Sequence, residues 1–419
     1  MGQVHVVGAG LAGLACAIGL SRQGHRVTVH EAAAQAGGRC RSYHDATLGR
    51  VIDNGNHLIL SANHATLGYL DEIGAADTLA GPERAVLPFM DLASGSRWQV
   101  RPNRGPLPWW VLAPSRRVPG TRLRHYLPPL RLAFARGDET VLDCLDRHSP
   151  LYTHLIEPLA VAVLNTAPAD GSAKLLRSVL ADTFARGAAA CRPLIARHGL
   201  SPSFVDPALA RLAAAGATLR FGHRLRGMAL GEGRVGSLDF GSEQIELGTK
   251  DSVVLAVPPA AAADLIPDLP VPRGSRAIVN AHFVVRPAPE PLGEAPFVGL
   301  IGGIAQWLFL RGEVASVTVS AADALAERPN DEIADLLWTD ASRALGLAGA
   351  PRPTTRIISE RRATFAQTPA EVARRPPSAT AWENLWLAGD WTDTGLPATI
   401  ESAVRSGQRA ARLAAGYSG

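Results

Sequence analysis

The sequence predicts an α/β protein: a Rossmann-like dinucleotide-binding domain interrupted by a discontinuous α+β second domain of mixed sheet and helices. Three observations predict it. A valine-rich run, Val4-His5-Val6-Val7, leads straight into Gly8-Ala9-Gly10-Leu11-Ala12-Gly13, the order in which a nucleotide-binding βαβ unit opens. Two more buried-strand patterns, at 252–257 and 385–391, return late in the chain. Between them, strand-like runs at 278–285, 307–310, 315–319 and 355–359, with an amphipathic helix over 332–345, hold the content of a second sheet.

The first unit follows from local chemistry. Three glycines permit a tight turn, close approach of backbone to a pyrophosphate, and close packing of helix on strand. Leu11 and Ala12 begin a helix over 11–22, kept slim by Ala17 and ended by Gly24, whose positive N-terminal end faces the phosphates. The second strand, 25–29, delivers Glu31, a carboxylate suited to both hydroxyls of a ribose and repulsive to a 2′-phosphate. A second glycine match, Gly231-Glu232-Gly233-Arg234-Val235-Gly236, lacks a following helix and reads as a hairpin between two strands.

Composition narrows the class. At 419 residues the chain accommodates two domains, and its 41 glycines and 31 prolines are dispersed, which argues for a globular protein without a linker. A net charge of +4 is too mild to point to nucleic acid. Cys16, Cys40, Cys144 and Cys191 are widely spaced, so we expect a reducing compartment, no disulfide framework and no metal site. The apolar start lacks a basic leader and is punctuated by glycine, unlike a signal peptide. Met1-Gly2 is no myristoylation site, because Val6 stands where Ser or Thr is needed. No apolar run is long enough to span a bilayer.

Further along, Asp53-Asn54-Gly55-Asn56-His57 precedes an apolar run and a helix over 66–73. It reads either as a ligand-facing loop or as an Asx-rich turn satisfying its own backbone. Between Asp91 and Asp138 there is no acid, while nine arginines recur from Arg97 to Arg136 around Trp109 and Trp110. That composition suits an anionic lipid surface with shallow apolar insertion; the alternative is a solvated arginine face over a buried tryptophan pair. Helical patterns fill 141–180 apart from a break at 165–168, followed by a helix at 207–215 and a strand at 218–221. The expected organisation is nucleotide domain at 1–85, 200–265 and 380–419, a substrate and membrane-associated helical region at 86–199, and a substrate-domain sheet at 266–379.

Glu31, Gly37-Gly38-Arg39 with Ser42, and Leu387-Ala388-Gly389-Asp390 together resemble the FAD-dependent amine oxidase and phytoene desaturase superfamily over the whole chain. More narrowly, Gly37–Tyr43, Asp53–His57, Leu164-Asn165-Thr166 and Gly389–Ala403 resemble its squalene-associated branch, the hydroxysqualene dehydroxylases of bacterial hopanoid biosynthesis. The resemblance implies FAD as cofactor, with Gly8, Gly10, Leu11, Ala12 and Gly13 at the pyrophosphate and Glu31 on the adenosine ribose. It puts Gly38 and Arg39 at the pyrophosphate too, and Leu225, in the strand after Phe221, at the adenine. Gly389 and Asp390 would meet the ribitol or phosphate, Gly55 and Asn56 the isoalloxazine, and the helix opening at Ala398-Thr399-Ile400 the pyrimidine end of the flavin.

The reaction is narrowed by lysine. Amine oxidation in this superfamily usually involves a lysine near flavin N5, and neither Lys174 nor Lys250, the only two in the chain, has the expected strand context. The preferred expectation is reductive removal of an allylic hydroxyl from hydroxysqualene. An acid near N5 releases water, and hydride from N5 quenches the allylic cation to give squalene. His57, Asp53 and Asp393 are the candidate acids, and Asn165 a candidate substrate anchor. Each has a plain alternative: a core histidine, a turn former, an exposed loop acid. With one dinucleotide fingerprint, electrons are expected from an external donor, and the protein is expected in the cytoplasm, peripheral to the inner membrane. Rivals are a phytoene-type desaturase and a non-catalytic lipid-binding subunit with structural FAD.

Overall fold

The computed structural model describes residues 2–417; Met1, of the Met1-Gly2 start considered above, and residues 418–419 lie outside the described residues. The chain opens with β1 (Gln3–Val7), α1 (Leu11–Arg22) and β2 (Arg26–His30). A hairpin of β3 (Ser42–Asp45) and β4 (Arg50–Asp53), then β5 (Ile59–Leu60), α2 (His64–Glu72) and β6 (Leu79–Ala80) follow. Next come β7 (Leu87–Asp91), β8 (Arg97–Val100), a run of 3-10 turns between 109 and 134, α3 (Val141–Cys144), α4 (Glu157–Leu164), α5 (Ala173–Asp182) and β9 (Pro193–Ala196).

The chain then returns through α6 (Asp206–Ala214) and β10 (Thr218–Arg220), a small meander of β11 (Gly227–Leu230), β12 (Val235–Asp239) and β13 (Gln244–Glu246), then β14 (Ser252–Leu255) and α7 (Pro259–Leu265). β11 and β12 pair antiparallel around Gly231–Gly236, the expected hairpin. The second excursion contains β15 (Ser275–Val284), β16 (Phe297–Ile301), β17 (Trp307–Arg311), β18 (Val314–Val319), α8 (Asn330–Ala344), β19 (Thr355–Phe365) and α9 (Pro369–Ala373). β20 (Leu385–Leu387) and α10 (Ile400–Ala415) close the chain.

Two sheets organise these elements. The first is fully parallel, in the order β10-β2-β1-β14-β20, so β1 lies between β2 and the distant β14, with β10 and β20 at the edges. Such strands are buried on both faces and read as continuous apolar runs, as Val253, Val254 and Leu255 do. On one face α10 lies against α1 at very short range: a Cβ on Gly407 would come 2.1 Å from the Ala12 carbonyl oxygen.

The second sheet has seven strands, β19-β15-β18-β17-β16-β7-β8, antiparallel except for β16 with β7. Here the expectation from sequence is corrected. Residues 86–199 are not a helical region throughout: β7 and β8 belong to this sheet, and 109–134 forms 3-10 turns. Pro88 within β7 and Gly299 within β16 mask the strand signal. Gly299 has a tertiary reason, since a Cβ there would meet the Phe89 ring across the strands at 2.6 Å.

Candidate functional site

The turn after β1 is built by glycines with different jobs. Gly8 has φ +107, and a Cβ would strike the Ala256 carbonyl oxygen at 2.4 Å; one on Gly13 would lie 1.9 Å from the Gly8 carbonyl oxygen. Those two are demanded by the fold. Gly10 is not: it has φ −72, and no atom lies within 4 Å of a Cβ placed there. α1 starts at this open position with no side-chain cap and no acid in its first turn, although Leu11, Ala12 and Gly13 are buried. A buried helix start without acceptors calls for an external anion. Opposite it, Gly37 N–H donates to the Ala9 carbonyl at 2.8 Å, and a Cβ on Gly38, at φ +56, would come 3.4 Å from the Gly10 Cα, so the two segments form a backbone cradle without side chains. Glu31 accepts from the backbone N–H groups of Ala9 at 2.7 Å and Ala33 at 2.8 Å, which holds its carboxylate beside the turn.

Leu225 departs from expectation. β10 ends at Arg220 and β11 starts at Gly227, so Leu225 lies in the connection, not in a strand, with its side chain buried. The chain peels off because Gly222 and His223 donate to the Ala33 and Glu31 carbonyls instead of continuing along β2.

At the other end of the chain, Gly389 (φ +147) donates to Ser406 Oγ, and Asp390 turns its carboxylate to Arg39. One Arg39 nitrogen lies 2.8 Å from both Asp390 oxygens, so the structure joins two residues assigned separately to the cofactor. α10 begins at Ile400 with Thr399 as its cap, accepting from Ser402 N–H, two residues later than Ala398. Ala398 N–H is already bound to Gln367 Oε1 at 2.9 Å. Gln367, fully buried, also donates to the Leu164 carbonyl. It joins the end of α4 to the loop ahead of α10. Arg375, also buried, donates to the carbonyls of Asp390, Thr392 and Leu396 and to Thr394 Oγ1. Neither residue was singled out from the sequence, where an isolated Gln or Arg in a loop carries no periodic signal.

Asp53-Asn54-Gly55-Asn56-His57 meets the face of the second sheet. Asp53, 3 % exposed, accepts from Ser42 Oγ at 2.6 Å, Leu200 N–H at 2.9 Å and Arg311 at 2.8 Å. Asn56 donates to Thr318, which donates to Asn280 Oδ1, and Gly55 leaves room for the Asn280 amide. His282 bridges Ser316 Oγ at 2.7 Å and the Asp53 carbonyl at 3.0 Å. A carbonyl only accepts, so Nε2 carries the proton and Nδ1 accepts from the serine. Burial pushes the His282 pKa down to about 4 and that of His57 also to about 4. His57 is only half-buried and has no hydrogen-bond partner among the described residues; it lines a small cavity with Ile195, Leu200, Phe309 and Leu310 and with polar Asp53, Asn56, Arg311 and Ser316.

The other two candidates lie elsewhere. Asn165, at φ +45, uses both amide hydrogens on the Arg276 carbonyl and Thr364 Oγ1 and accepts from Ala321 N–H. Its geometry is that of a staple between α4 and the second sheet, so no donor remains for a substrate. Asp393 is exposed in the loop before α10, the plain alternative. Lys174 lies on α5 and Lys250 in the turn before β14, both exposed and neither on the second sheet.

The tryptophan pair divides. Trp110 is buried edge-on against Tyr126, whereas Trp109 is 60 % exposed. Leu107, Leu112, Leu127, Leu130 and Phe134 in the same segment are also exposed, Phe134 to 83 %. Among the described residues no helix is long and apolar enough to cross a membrane.

The family described as flavin containing amine oxidoreductase matches residues 11–415. A hydroxysqualene dehydroxylase of Rhodopseudomonas palustris is 50% identical over 411 residues, 98% of this chain and 97% of that protein. Its namesake in Sinorhizobium fredii is 47% identical, covering 98% of both. Among solved structures, cyclohexylamine oxidase from Brevibacterium oxydans superposes with a TM-score of 0.71 at 16% identity, covering 99% of each chain, a likeness of fold.

Proposed function

Because this chain belongs to the flavin-containing amine oxidoreductase family, and within it to the hydroxysqualene dehydroxylases, we propose that it is an FAD-dependent oxidoreductase that converts hydroxysqualene to squalene. The observation that carries the substrate reading is the unpartnered His57 imidazole in a small cavity lined by apolar Ile195, Leu200, Phe309 and Leu310 and by polar Asp53, Asn56, Arg311 and Ser316. The apolar residues suit an isoprenoid chain, and His57 is the ionisable group there left free for its hydroxyl, because Asp53 and Arg311 pair with each other.

The residues present fit FAD. The uncapped start of α1, the open Gly10 and the Gly37-Gly38 backbone would hold the pyrophosphate, Glu31 the ribose, and the Arg39–Asp390 pair the stretch toward the flavin. When bound and reduced, FAD supplies a hydride. The protein must then place one proton on the hydroxyl oxygen, so that the C–O bond breaks to water and the carbon receives the hydride. His57 is the candidate donor. With a pKa near 4 its ring is neutral at neutral pH and offers a hydrogen bond; negative charge arriving nearby raises that pKa toward proton transfer. Asp53 accepts three hydrogen bonds and positions Arg311 and the Leu200 backbone.

That the second glycine match is a hairpin supports a separate electron donor. The exposed Trp109, Leu130 and Phe134 among arginines support docking on anionic lipid, where the substrate partitions. The test is anaerobic: reduce the flavin, add hydroxysqualene, and follow reoxidation together with squalene by mass spectrometry. Stoichiometric squalene is expected; an inert reduced flavin sinks the reading and directs attention to desaturation by the oxidised enzyme.

A further inference from the structure

We propose that Arg375 is the positive charge that sets the redox poise of the bound flavin, by stabilising its anionic reduced form. The inference rests on the FAD reading above. Arg375 is 6 % exposed and follows α9. Its guanidinium donates to the Leu396 carbonyl at 2.8 Å, the Asp390 carbonyl at 3.1 Å, Thr394 Oγ1 at 3.1 Å and the Thr392 carbonyl, and lies 5.3 Å over the Phe365 ring. All these partners are neutral. Among the described residues no carboxylate forms an ion pair with it, and its buried Nε has no hydrogen-bond partner.

The carboxylates that act on it, Asp393 and Asp390, form no ion pair with it. The nearby Asp390 carboxylate is committed to Arg39. Asp393 is exposed to solvent, and Arg409 donates to its carbonyl. Glu401 is occupied by the start of α2 and by Arg405. A buried cation with no directly paired counter-ion is costly, and a guanidinium cannot escape the cost by losing its proton. Burial does press its pKa downward. Holding a loop does not require that charge.

The loop it holds, 390–396, runs into the start of α10, whose dipole is also positive. Two sources of positive potential therefore converge on one short segment. The anion that fits there is the ring system that takes up two electrons and one proton and so gains one negative charge. Arg375 is in this sense a positioning and tuning residue, acting through the field and through the loop.

The test measures the midpoint potential of the purified holoenzyme, titrated anaerobically with dithionite, for wild type, Arg375→Lys and Arg375→Gln. Neutralising the charge is expected to reduce the ratio of reduced to oxidised flavin about tenfold at a given solution potential, equivalent to ~30 mV for a two-electron couple; the lysine variant recovers most of it. A glutamine holoenzyme with wild-type potential overturns the proposal and leaves a loop staple. If that variant does not fold, wild-type spectra decide: the reduced flavin is expected to stay anionic throughout the acidic range in which the protein is folded, and a neutral reduced flavin overturns the proposal. Wild-type protein that binds no FAD overturns both this proposal and the reading beneath it, a result distinct from an unshifted potential.

Discussion

Arg39 and Asp390, 351 residues apart in the chain, meet in an ion pair in which one guanidinium nitrogen lies 2.8 Å from each carboxylate oxygen. The Asp390 side chain is 8% exposed and that of Arg39 44% exposed. Replacing Arg39 with alanine strands a mostly buried carboxylate beside the flavin site. FAD affinity is expected to fall about tenfold or more, ~1.4 kcal/mol, by fluorescence titration of apoprotein. Arg39→Ala combined with Asp390→Asn should cost less than the sum of the two; strict additivity would mean that the pair does not act as a unit.

The two glycines of the first turn should separate binding from folding. A Cβ at Gly13 collides with the Gly8 carbonyl oxygen, so Gly13→Ala is expected to destabilise the fold by about 1–3 kcal/mol or more. Gly10→Ala meets no protein atom and should keep the melting temperature of the apoprotein while weakening FAD binding. Thermal melts with and without FAD distinguish them, and a destabilised Gly10→Ala apoprotein would contradict the cradle.

Acid should destabilise the protein through His282. Its folded pKa of about 4 lies below the ordinary value of 6.5, so between these limits the unfolded chain binds more protons. Stability is therefore full above about pH 6.5 and falls as pH drops toward 4, by about 1.4 kcal/mol for each pH unit crossed. His282→Asn should flatten this slope in denaturant titrations across the window. An unchanged slope would show that the imidazole already titrates normally in the folded protein.

Trp109 and Phe134 should govern membrane binding without supporting the fold, being 60 % and 83 % exposed. Changing both to serine is expected to lower co-sedimentation with anionic vesicles at least tenfold, given ~1.5–3 kcal/mol for burying a large apolar side chain. Salt should weaken the remaining binding. Equal sedimentation of variant and wild type would remove this face from consideration.

Breaking the Asp53–Arg311 pair should be costly because Asp53 is 3 % exposed. Arg311→Ala leaves the carboxylate with Ser42 and Leu200 only, and a loss of about 1–3 kcal/mol is expected by urea titration. Arg311→Lys should restore part of it, and an unchanged stability would show that solvent already compensates the charge.

The opening βαβ unit, the hairpin at 231–236, the returning strands and the α/β class were all legible in the order of residues alone. Their determinants are local: glycines at fixed spacing and apolar runs of strand length. Motifs also singled out His57, Asp53, Arg39 and Asp390. Packing between distant segments, by contrast, settles that Arg39 grips Asp390, that Asn165 is consumed as a staple, and that Leu225 lies outside a strand. Only the fold brought Gln367, Arg375, Asn280 and His282 toward the site. Strand β16 was hidden because its Gly299 makes room for Phe89, on a strand from a much earlier part of the chain. The physical reason is common to all of these: backbone conformation is written in neighbouring residues, whereas a polar side chain's partner is chosen by whichever distant segment packing brings within hydrogen-bond reach.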